Sequence, residues 1–125
     1  MDYSKLSDTE INAAVADELN KLHQEMLFMF NPAGYVYRLG YGNIESPYSD
    51  GEPEEVIFDP VNSWSDAGEI IADNEINILW NWNEEGLHGA TALPLYEYEH
   101  ENALRAAMTV FLMIQGSSNV QDNPV

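Results

Sequence analysis

The stretch that decides the fold is NALRAAMTVFLMIQG, residues 102–116. Asn102 is a favourable N-cap and Gly116 a favourable C-terminal stop, so we predict a helix over residues 103–115. Apolar side chains lie on almost every side of this helix, which is typical of a helix buried between other layers. The remainder of the chain must therefore supply a sheet and a further helix to cover it.

The N-terminal part of the chain predicts that second helix. Ser7 and Glu10 have the spacing of a capping box, which satisfies two backbone N–H groups at a helix start. From Ile11 to Phe30, apolar residues recur at three- and four-residue spacing. We expect one amphipathic helix, ended by Pro32.

Residues 35–64 predict shorter elements. Tyr and Val are frequent over residues 35–41, which favours a strand, and residues 56–58 favour a second one. Between them, residues 43–54 are rich in Pro, Gly and acidic side chains, so we expect a mobile loop. A short helix follows, with the apolar residues Trp64, Ala67, Ile70 and Ile71.

The next region predicts a hairpin. Apolar and polar residues alternate over residues 76–83, the pattern of a strand with one buried face. After a turn, residues 90–99 favour a second strand, and Pro94 places it at an edge or a bulge. The predicted fold class is α+β: a small antiparallel sheet of about three to four strands packed against an N-terminal helix and a buried C-terminal helix.

Composition indicates one small domain. With 125 residues, 45% of them apolar, the chain can bury a core, and we assign residues 1–116 to a single acidic domain and residues 117–125 to a flexible polar tail. There is no cysteine, which excludes disulfides, thiolate zinc sites and a cysteine nucleophile. Because no secretory signal or membrane-spanning run is visible, we expect a cytoplasmic protein without membrane partners.

Charge is the outstanding feature. The sequence has 22 Asp and Glu against four Lys and Arg, a net charge of -18. Fifteen of the acids lie between Arg38 and Arg105, where there is no Lys or Arg. Such a field repels nucleic acid and anionic lipid and attracts basic partners. The alternative is that the acidity serves only solubility or a high-salt habitat.

No catalytic constellation is visible. The three histidines, His23, His88 and His100, lack the spacing of a metal site, and carboxylates are too abundant for any pair to stand out. There is no phosphate-binding loop or nucleophile elbow. We expect no cofactor, no bound metal and no enzymatic activity; a metal-assisted hydrolase built on His88 or His100 is the alternative.

Three stretches carry a family resemblance: DYSKLSDTEIN at residues 2–12, NSWSDAGEIIADN at residues 62–74, and LRAAMTVFLM at residues 104–113. Through them the chain resembles the NinX-like small proteins of tailed bacteriophages and prophages. The resemblance implies a phage or prophage protein acting in the cytoplasm of a bacterial host. It carries no catalytic residue over to this sequence.

The leading hypothesis is an acidic protein that inhibits or regulates a host protein by occupying a basic surface, in the manner of a DNA mimic. The hypothesis includes, without requiring it, a surface that normally holds nucleic acid, for example in a host-defence complex. The partner is thus a basic host protein or complex, not nucleic acid itself. The predicted contact residues are Glu45, Asp50, Glu52, Glu54, Glu55, Glu84, Glu85, Glu97, Glu99 and Glu101.

Aromatic residues support an alternative function. A structural or adaptor protein could associate through Tyr35, Tyr37 or Trp82, with another protein or as a homodimer. Against this, Trp80 and Trp82 share one face of the predicted strand, and large apolar side chains usually lie inside. We therefore expect this Trp pair to be buried.

Overall fold

The computed structural model describes residues 2–40, 54–83 and 85–119, with three helices and six strands. A short 3-10 turn, Tyr3–Lys5, comes first. The elements that follow are α1 (Asp8–His23), β1 (Met29–Phe30), β2 (Val36–Gly40), β3 (Glu54–Ile57), α2 (Trp64–Asp73), β4 (Asn77–Leu79), β5 (His88–Ala92), β6 (Tyr96–His100) and α3 (Ala103–Asn119). In the described part of the chain, no helix has the length and hydropathy that crossing a membrane requires.

The six strands form two antiparallel sheets, ordered β1-β2-β3 and β4-β5-β6. In the second sheet, Ala90 of β5 lies between Ile78 of β4 and Tyr98 of β6. This sheet packs against α3, which also contacts α1 and α2. The α+β class with an N-terminal helix and a buried C-terminal helix is confirmed, and the strands divide between two small sheets.

Helix α3 forms the centre of the core. Every residue from 103 to 112 is buried, and Met108 and Phe111 are fully enclosed among Ile11 and Val15 of α1 and the apolar face of β5. The polar exceptions within this run, Arg105 and Thr109, are hydrogen-bonded. The prediction of a buried C-terminal helix is therefore confirmed.

The two ends of α3 differ in how well the sequence predicted them. Asn102 is the N-cap, because its Oδ1 accepts from the backbone N–H groups of Leu104 at 2.9 Å and Arg105 at 3.2 Å. The predicted end at Gly116 was wrong, since the helix continues to Asn119. A glycine inside a helix costs only about 1 kcal/mol, which the surrounding helical hydrogen bonds offset. The part of the predicted tail from residue 120 lies outside the described residues.

Helix α1 begins as predicted and ends earlier. The capping box is present: the Ser7 side chain accepts from the Glu10 N–H at 3.1 Å, and the Glu10 carboxylate accepts from the Ser7 N–H at 2.9 Å. The extension to Pro32 was wrong, because the chain leaves the helix at Gln24, whose φ is 53°. The Asn20 side chain then accepts from two backbone N–H groups of the following turn, and the chain continues into β1.

The strand predicted over residues 90–99 is in fact two strands, β5 and β6, joined by a turn at Pro94. Proline has no N–H for a ladder, and here it occupies the connection of a hairpin. The turn leaves Leu93 and Leu95 85% and 92% exposed. The strand predicted over residues 76–83 is also shorter, since β4 ends at Leu79.

The buried side chain of Arg105 joins the N-terminal segment to α3. Arg105 is 5% exposed, and its Nη1 donates to Asp8 Oδ1 at 2.6 Å. Its Nη2 donates to the backbone carbonyl oxygens of Tyr3, at 3.0 Å, and Leu6. One guanidinium group thus satisfies three acceptors from a segment nearly one hundred residues away in sequence.

A buried asparagine makes a second long-range connection. Asn12 of α1 donates from Nδ2 to Asp59 Oδ1 at 2.8 Å and accepts from the Val61 N–H at 3.2 Å. The Val61 carbonyl in turn accepts from Asn102 Nδ2 at 2.8 Å. The loop before α2 is therefore held from both α1 and the start of α3.

Substitution of Arg105 tests this junction. Arg105→Ala leaves two carbonyl oxygens and a carboxylate without their donor, so we expect the free energy of unfolding to fall by about 3 kcal/mol. Arg105→Lys keeps the charge but loses the fork geometry, and should cost about 2 kcal/mol. Urea denaturation followed by circular dichroism measures both. The exposed pair partner Lys21 is the control, and a Lys21→Ala loss as large as that of Arg105→Ala would contradict the assignment.

Candidate partner-binding surface

Six of the ten predicted contact carboxylates lie in the described residues, and all six are exposed. Of the predicted loop over residues 43–54, only Glu54 is described, and it begins β3. The four contact residues outside the described ranges are Glu45, Asp50, Glu52 and Glu84. The six that are placed are Glu54 and Glu55 on β3, Glu85 in the turn before β5, Glu97 and Glu99 on β6, and Glu101 directly after β6.

These carboxylates do not all belong to one face. Glu54 and Glu55 lie on the first sheet, whereas Glu97 and Glu99 lie on the second. Consecutive strand residues point to opposite faces, so Glu54 and Glu55 also diverge from one another. The alternate residues Glu97 and Glu99, by contrast, share the face of β6 that points away from α3.

Among the described residues, the carboxylates in the middle of the chain have no ion-pair partner. Between described residues, no Lys or Arg nitrogen lies within 4 Å of a carboxylate oxygen from residues 54–101. The ion pairs that do form involve Lys5 with Asp2, Lys21 with Asp17 and Glu18, and Arg105 with Asp8. The exposed acids of the second sheet therefore act as a solvated negative field.

The outer face of the second sheet combines acids with an aromatic ring. Register aligns Leu79, Gly89 and Glu99 across the three strands, and on the same face Thr91 pairs with Glu97. We define the outer sheet face as these five residues together with Asn77 of β4 and the indole of Trp82. No described helix is among the main packing neighbours of this face, since α3 covers the opposite one.

Trp82 lies flat against the outer sheet face. A Cβ atom added at Gly89 would lie 2.6 Å from Trp82 Cδ2, so the indole occupies the space that any other residue would fill. Trp82 is nevertheless 41% exposed, and with Glu97, Tyr98 and Glu99 it lines a cavity of about 380 Å³. The neighbouring Asn83 donates from Nδ2 to Glu99 Oε2 at 3.1 Å. The ring therefore has carboxylates beside it.

A second aromatic feature, which we call the tryptophan cleft, lies between Trp64 and Trp80. Their ring centroids are 6.1 Å apart with planes tilted by 36°, and the side chains are 52% and 58% exposed. The His88 ring meets Trp80 edge-on at 5.0 Å, and its Nδ1 accepts from the backbone N–H of Asn81 at 3.0 Å. Glu101 also lines this cleft, whose volume is about 380 Å³.

The prediction that Trp80 and Trp82 form a buried pair on one strand face was wrong. Strand β4 ends before them, and Asn81 between them adopts a φ of 54°. The left-handed residue turns the chain, so Trp80 faces Trp64 while Trp82 covers Gly89. Asparagine tolerates this conformation better than most residues, and Asn81 was the sequence signal that could have revealed the turn.

Tyr35 and Tyr37, the tyrosines of the alternative interface, lie at the first sheet: Tyr37 is on β2 and Tyr35 directly precedes it. Tyr35 accepts from Asn31 Nδ2 at 2.8 Å and donates its hydroxyl proton to Glu55, 3.1 Å from Oε1. Desolvation, followed by the hydrogen bond and the charge of Glu55, raises the pKa of Tyr35. The Tyr37 ring is 6.0 Å away. Both tyrosines are half-buried. The hydrogen bond between Tyr35 and Glu55 involves none of the tryptophans.

The two histidines of the alternative metal site are cross-strand neighbours. His88 of β5 pairs directly with His100 of β6. Burial, with Arg105 nearby, lowers the pKa of His100, whose Nδ1 accepts from the Asn102 N–H at 2.9 Å. Across residues 2–40, 54–83 and 85–119, no group of three His, Asp or Glu side chains could hold a metal ion.

Another cavity, of about 650 Å³, lies between α1, α2 and the first sheet. Leu19, Phe28 and Ile70 are among its apolar lining residues, and Asp66 and Glu69 contribute carboxylates from α2. None of the ten predicted contact residues lines it in the described structure. It is an additional concave surface that the sequence did not indicate.

The fold and its exposed surface define a small α+β protein that presents carboxylates and aromatic rings together. The chain belongs to the family described as Bacteriophage P22, NinX, whose model matches residues 2–115. It is therefore a phage protein, and the resemblance seen in the sequence is confirmed. Searches of curated proteins and of solved structures found no match.

The contact between Trp82 and Gly89 gives a direct test of the outer sheet face. Gly89→Ala should displace the indole, because the new Cβ would overlap it. In a Trp64→Phe/Trp80→Phe background, Trp82 emission should shift to longer wavelength and be quenched more strongly by acrylamide. Gly68→Ala on α2, where a Cβ meets no atom within 4 Å, is the matched control.

The control should leave Trp82 emission unchanged. It should also stabilise the protein by about 0.5–1 kcal/mol, the usual gain when alanine replaces a helical glycine. Unaltered emission and quenching in Gly89→Ala would show that the ring does not rest on the sheet.

Proposed function

We propose that this phage protein binds a basic surface on a host protein and thereby inhibits or regulates it. The observation that carries the proposal is the outer sheet face, where Glu97 and Glu99 flank the exposed Trp82. Aromatic residues supply much of the binding energy in protein interfaces, while surrounding charges select the partner and speed its encounter. A face with both features suits a partner rich in Lys and Arg.

The field of the whole chain supports the same partner class. The net charge of -18 attracts cationic surfaces over distances limited by salt, with a screening length of about 8 Å at physiological ionic strength. Direct binding to nucleic acid is disfavoured, because phosphates and carboxylates repel one another. A basic surface that normally holds nucleic acid is the most favourable target for such a field.

The strand geometry allows a partial imitation of nucleic acid. Alternate residues of a strand are about 6.7 Å apart, so Glu97 and Glu99 present two charges at a fixed interval. Duplex DNA has one charge per ~1.7 Å of its axis, so two carboxylates reproduce only part of its charge density. The proposed mimicry is therefore competitive and limited to a short section of the host surface, and a host-defence complex is one candidate target.

Salt-dependent capture from a bacterial lysate tests the proposal. The immobilised protein should retain a basic host protein at about 50 mM NaCl and release it at about 500 mM, because screening removes the electrostatic part of the affinity. Glu97→Gln/Glu99→Gln should reduce the retained amount. Trp82→Ala should reduce it as well, without changing the charge.

The matched control is Glu25→Gln/Glu69→Gln, which removes the same charge after α1 and on α2. This variant should retain the partner nearly as well as the original protein. Equal losses in the two double variants would mean that net charge alone determines retention. Capture that does not respond to salt would contradict an electrostatic partner surface.

A second candidate function, an adaptor that associates through apolar residues, has an observation in its favour. All three tryptophans are more than 40% exposed, and the hairpin tip exposes Leu93 and Leu95 almost completely. Exposed apolar groups of this size often mark interfaces. The occupant could be a second copy of the chain.

Salt distinguishes self-association from binding to a basic partner. Two copies with a net charge of -18 repel one another, so a homodimer should strengthen as salt rises. Sedimentation equilibrium at about 50 mM and about 500 mM NaCl should then show the dimer mainly at the higher concentration. The Leu93→Ser/Leu95→Ser variant should dissociate this dimer. A monomer under both conditions would exclude self-association and leave only an adaptor that binds a different protein.

A further inference from the structure

We infer that the tryptophan cleft binds a single arginine side chain of the partner. This inference rests on the proposed function and specifies one contact within it. The site is formed by the exposed faces of Trp64 and Trp80 together with His88 and Glu101. Its occupant is the guanidinium group of an arginine on a basic protein surface.

The ring faces provide the first part of the argument. An indole face is the best aromatic partner for a cation, with attraction extending to about 6 Å from the ring centre. Trp64 and Trp80 are more than half exposed although both are large apolar side chains, which usually lie inside. The two rings together form an exposed apolar surface, and such surfaces often mark binding sites.

The electrostatics of the cleft favour a cation. Glu101 contributes a carboxylate, and none of the described lining residues is Lys or Arg. The hydrogen bonds found among the described residues leave the Glu101 carboxylate without a donor. Glu101 repels a phosphate or carboxylate ligand. The N-terminal turn of α3 also lines the cleft and has partial positive charge, but two of its N–H groups already donate to Asn102 Oδ1, which reduces their attraction for an anion.

The other side-chain acceptors that line the cleft, on Asn62, Asn102 and His88, already accept N–H groups, which leaves Glu101 as the acceptor for a ligand. Asn102 donates to the Val61 carbonyl and accepts from Leu104 and Arg105, and His88 Nδ1 accepts from Asn81. A guanidinium group can stack on an indole through its plane and donate two N–H groups to one carboxylate. An ammonium group has no plane to stack and stays strongly hydrated, so arginine is preferred over lysine.

The cleft has room for one side chain of a partner. Its volume of about 380 Å³ lies near the lower limit for ligand pockets and exceeds the volume of an arginine side chain. An arginine projecting from a protein surface can therefore enter it, while the remaining partner surface contacts the exposed carboxylates. The cleft therefore provides one specific contact within an otherwise electrostatic interaction.

Nuclear magnetic resonance of the ¹⁵N-labelled protein tests this site without any host protein. The probe is N-acetyl-arginine methylamide, compared at equal ionic strength with the corresponding lysine and citrulline compounds. The indole N–H signals of Trp64 and Trp80 should shift and saturate with arginine. Backbone amide signals of α1, which does not line the cleft, are the internal control and should move little. Lysine should bind about fivefold more weakly, and uncharged citrulline should produce no saturable shift.

Two substitutions separate the parts of the site. Glu101→Gln should weaken arginine binding about fivefold by removing the paired charge, and Trp80→Leu should abolish the saturable shift of Trp64. Glu25→Gln, which removes a charge from a residue that does not line the cleft, should leave the affinity unchanged. Retained affinity in Glu101→Gln, equal affinity for lysine, or a saturable shift of Trp64 that persists in Trp80→Leu would overturn the inference.

The inference and the proposed function can fail separately. If arginine does not shift Trp64 and Trp80 while a basic host protein is still captured at low salt, the cleft assignment is wrong and the proposed function stands. If arginine binds in the cleft and no basic protein is captured, the proposed function is wrong and the cleft retains its ligand.

Discussion

The guanidinium group of Arg105 joins the N-terminal segment to the buried helix α3, and the arrangement of the other elements depends on that junction. The group is enclosed and its charge must be compensated, so its acceptors, Asp8 and the carbonyls of Tyr3 and Leu6, are held in fixed positions. Residues 2–12 and 104–113, two of the three stretches that carry the family resemblance, meet here. These two stretches contribute to the core, while the residues of the outer sheet face and the tryptophan cleft lie on and around the second sheet and at the start of α2.

The same architecture explains how so acidic a chain folds. Mutual repulsion of carboxylates opposes compaction, but nearly all of the described carboxylates lie at the surface, where water screens them. The apolar residues of α3 supply a continuous buried centre that does not include an acid. The surface is consequently free to combine carboxylates with exposed tryptophans, a combination that favours cationic partners.

The sequence predicted the core better than the surface. Capping by Ser7 and Asn102 and the burial of α3 follow from local patterns, which periodicity and cap chemistry reveal directly. The chain reversals were harder, because Gln24 and Asn81 leave regular structure through left-handed conformations that many sequences avoid. Missing the turn at Asn81 hid the tryptophan cleft, since Trp64 and Trp80 are distant in sequence and meet only in the folded chain. The carboxylates were identified by type, but their division between two sheets depends on strand pairing.

Each described sheet has two outermost strands, β1 and β3 in the first and β4 and β6 in the second, and a strand from another molecule could add to such a strand. On β3 this border has Glu54 and Glu55, and on β6 it has Glu97 and Glu99. A second copy approaching either border in the same orientation would bring like charges together before any hydrogen bond formed. The glutamates on β3 and β6 thus oppose fibre-like growth through these two strands.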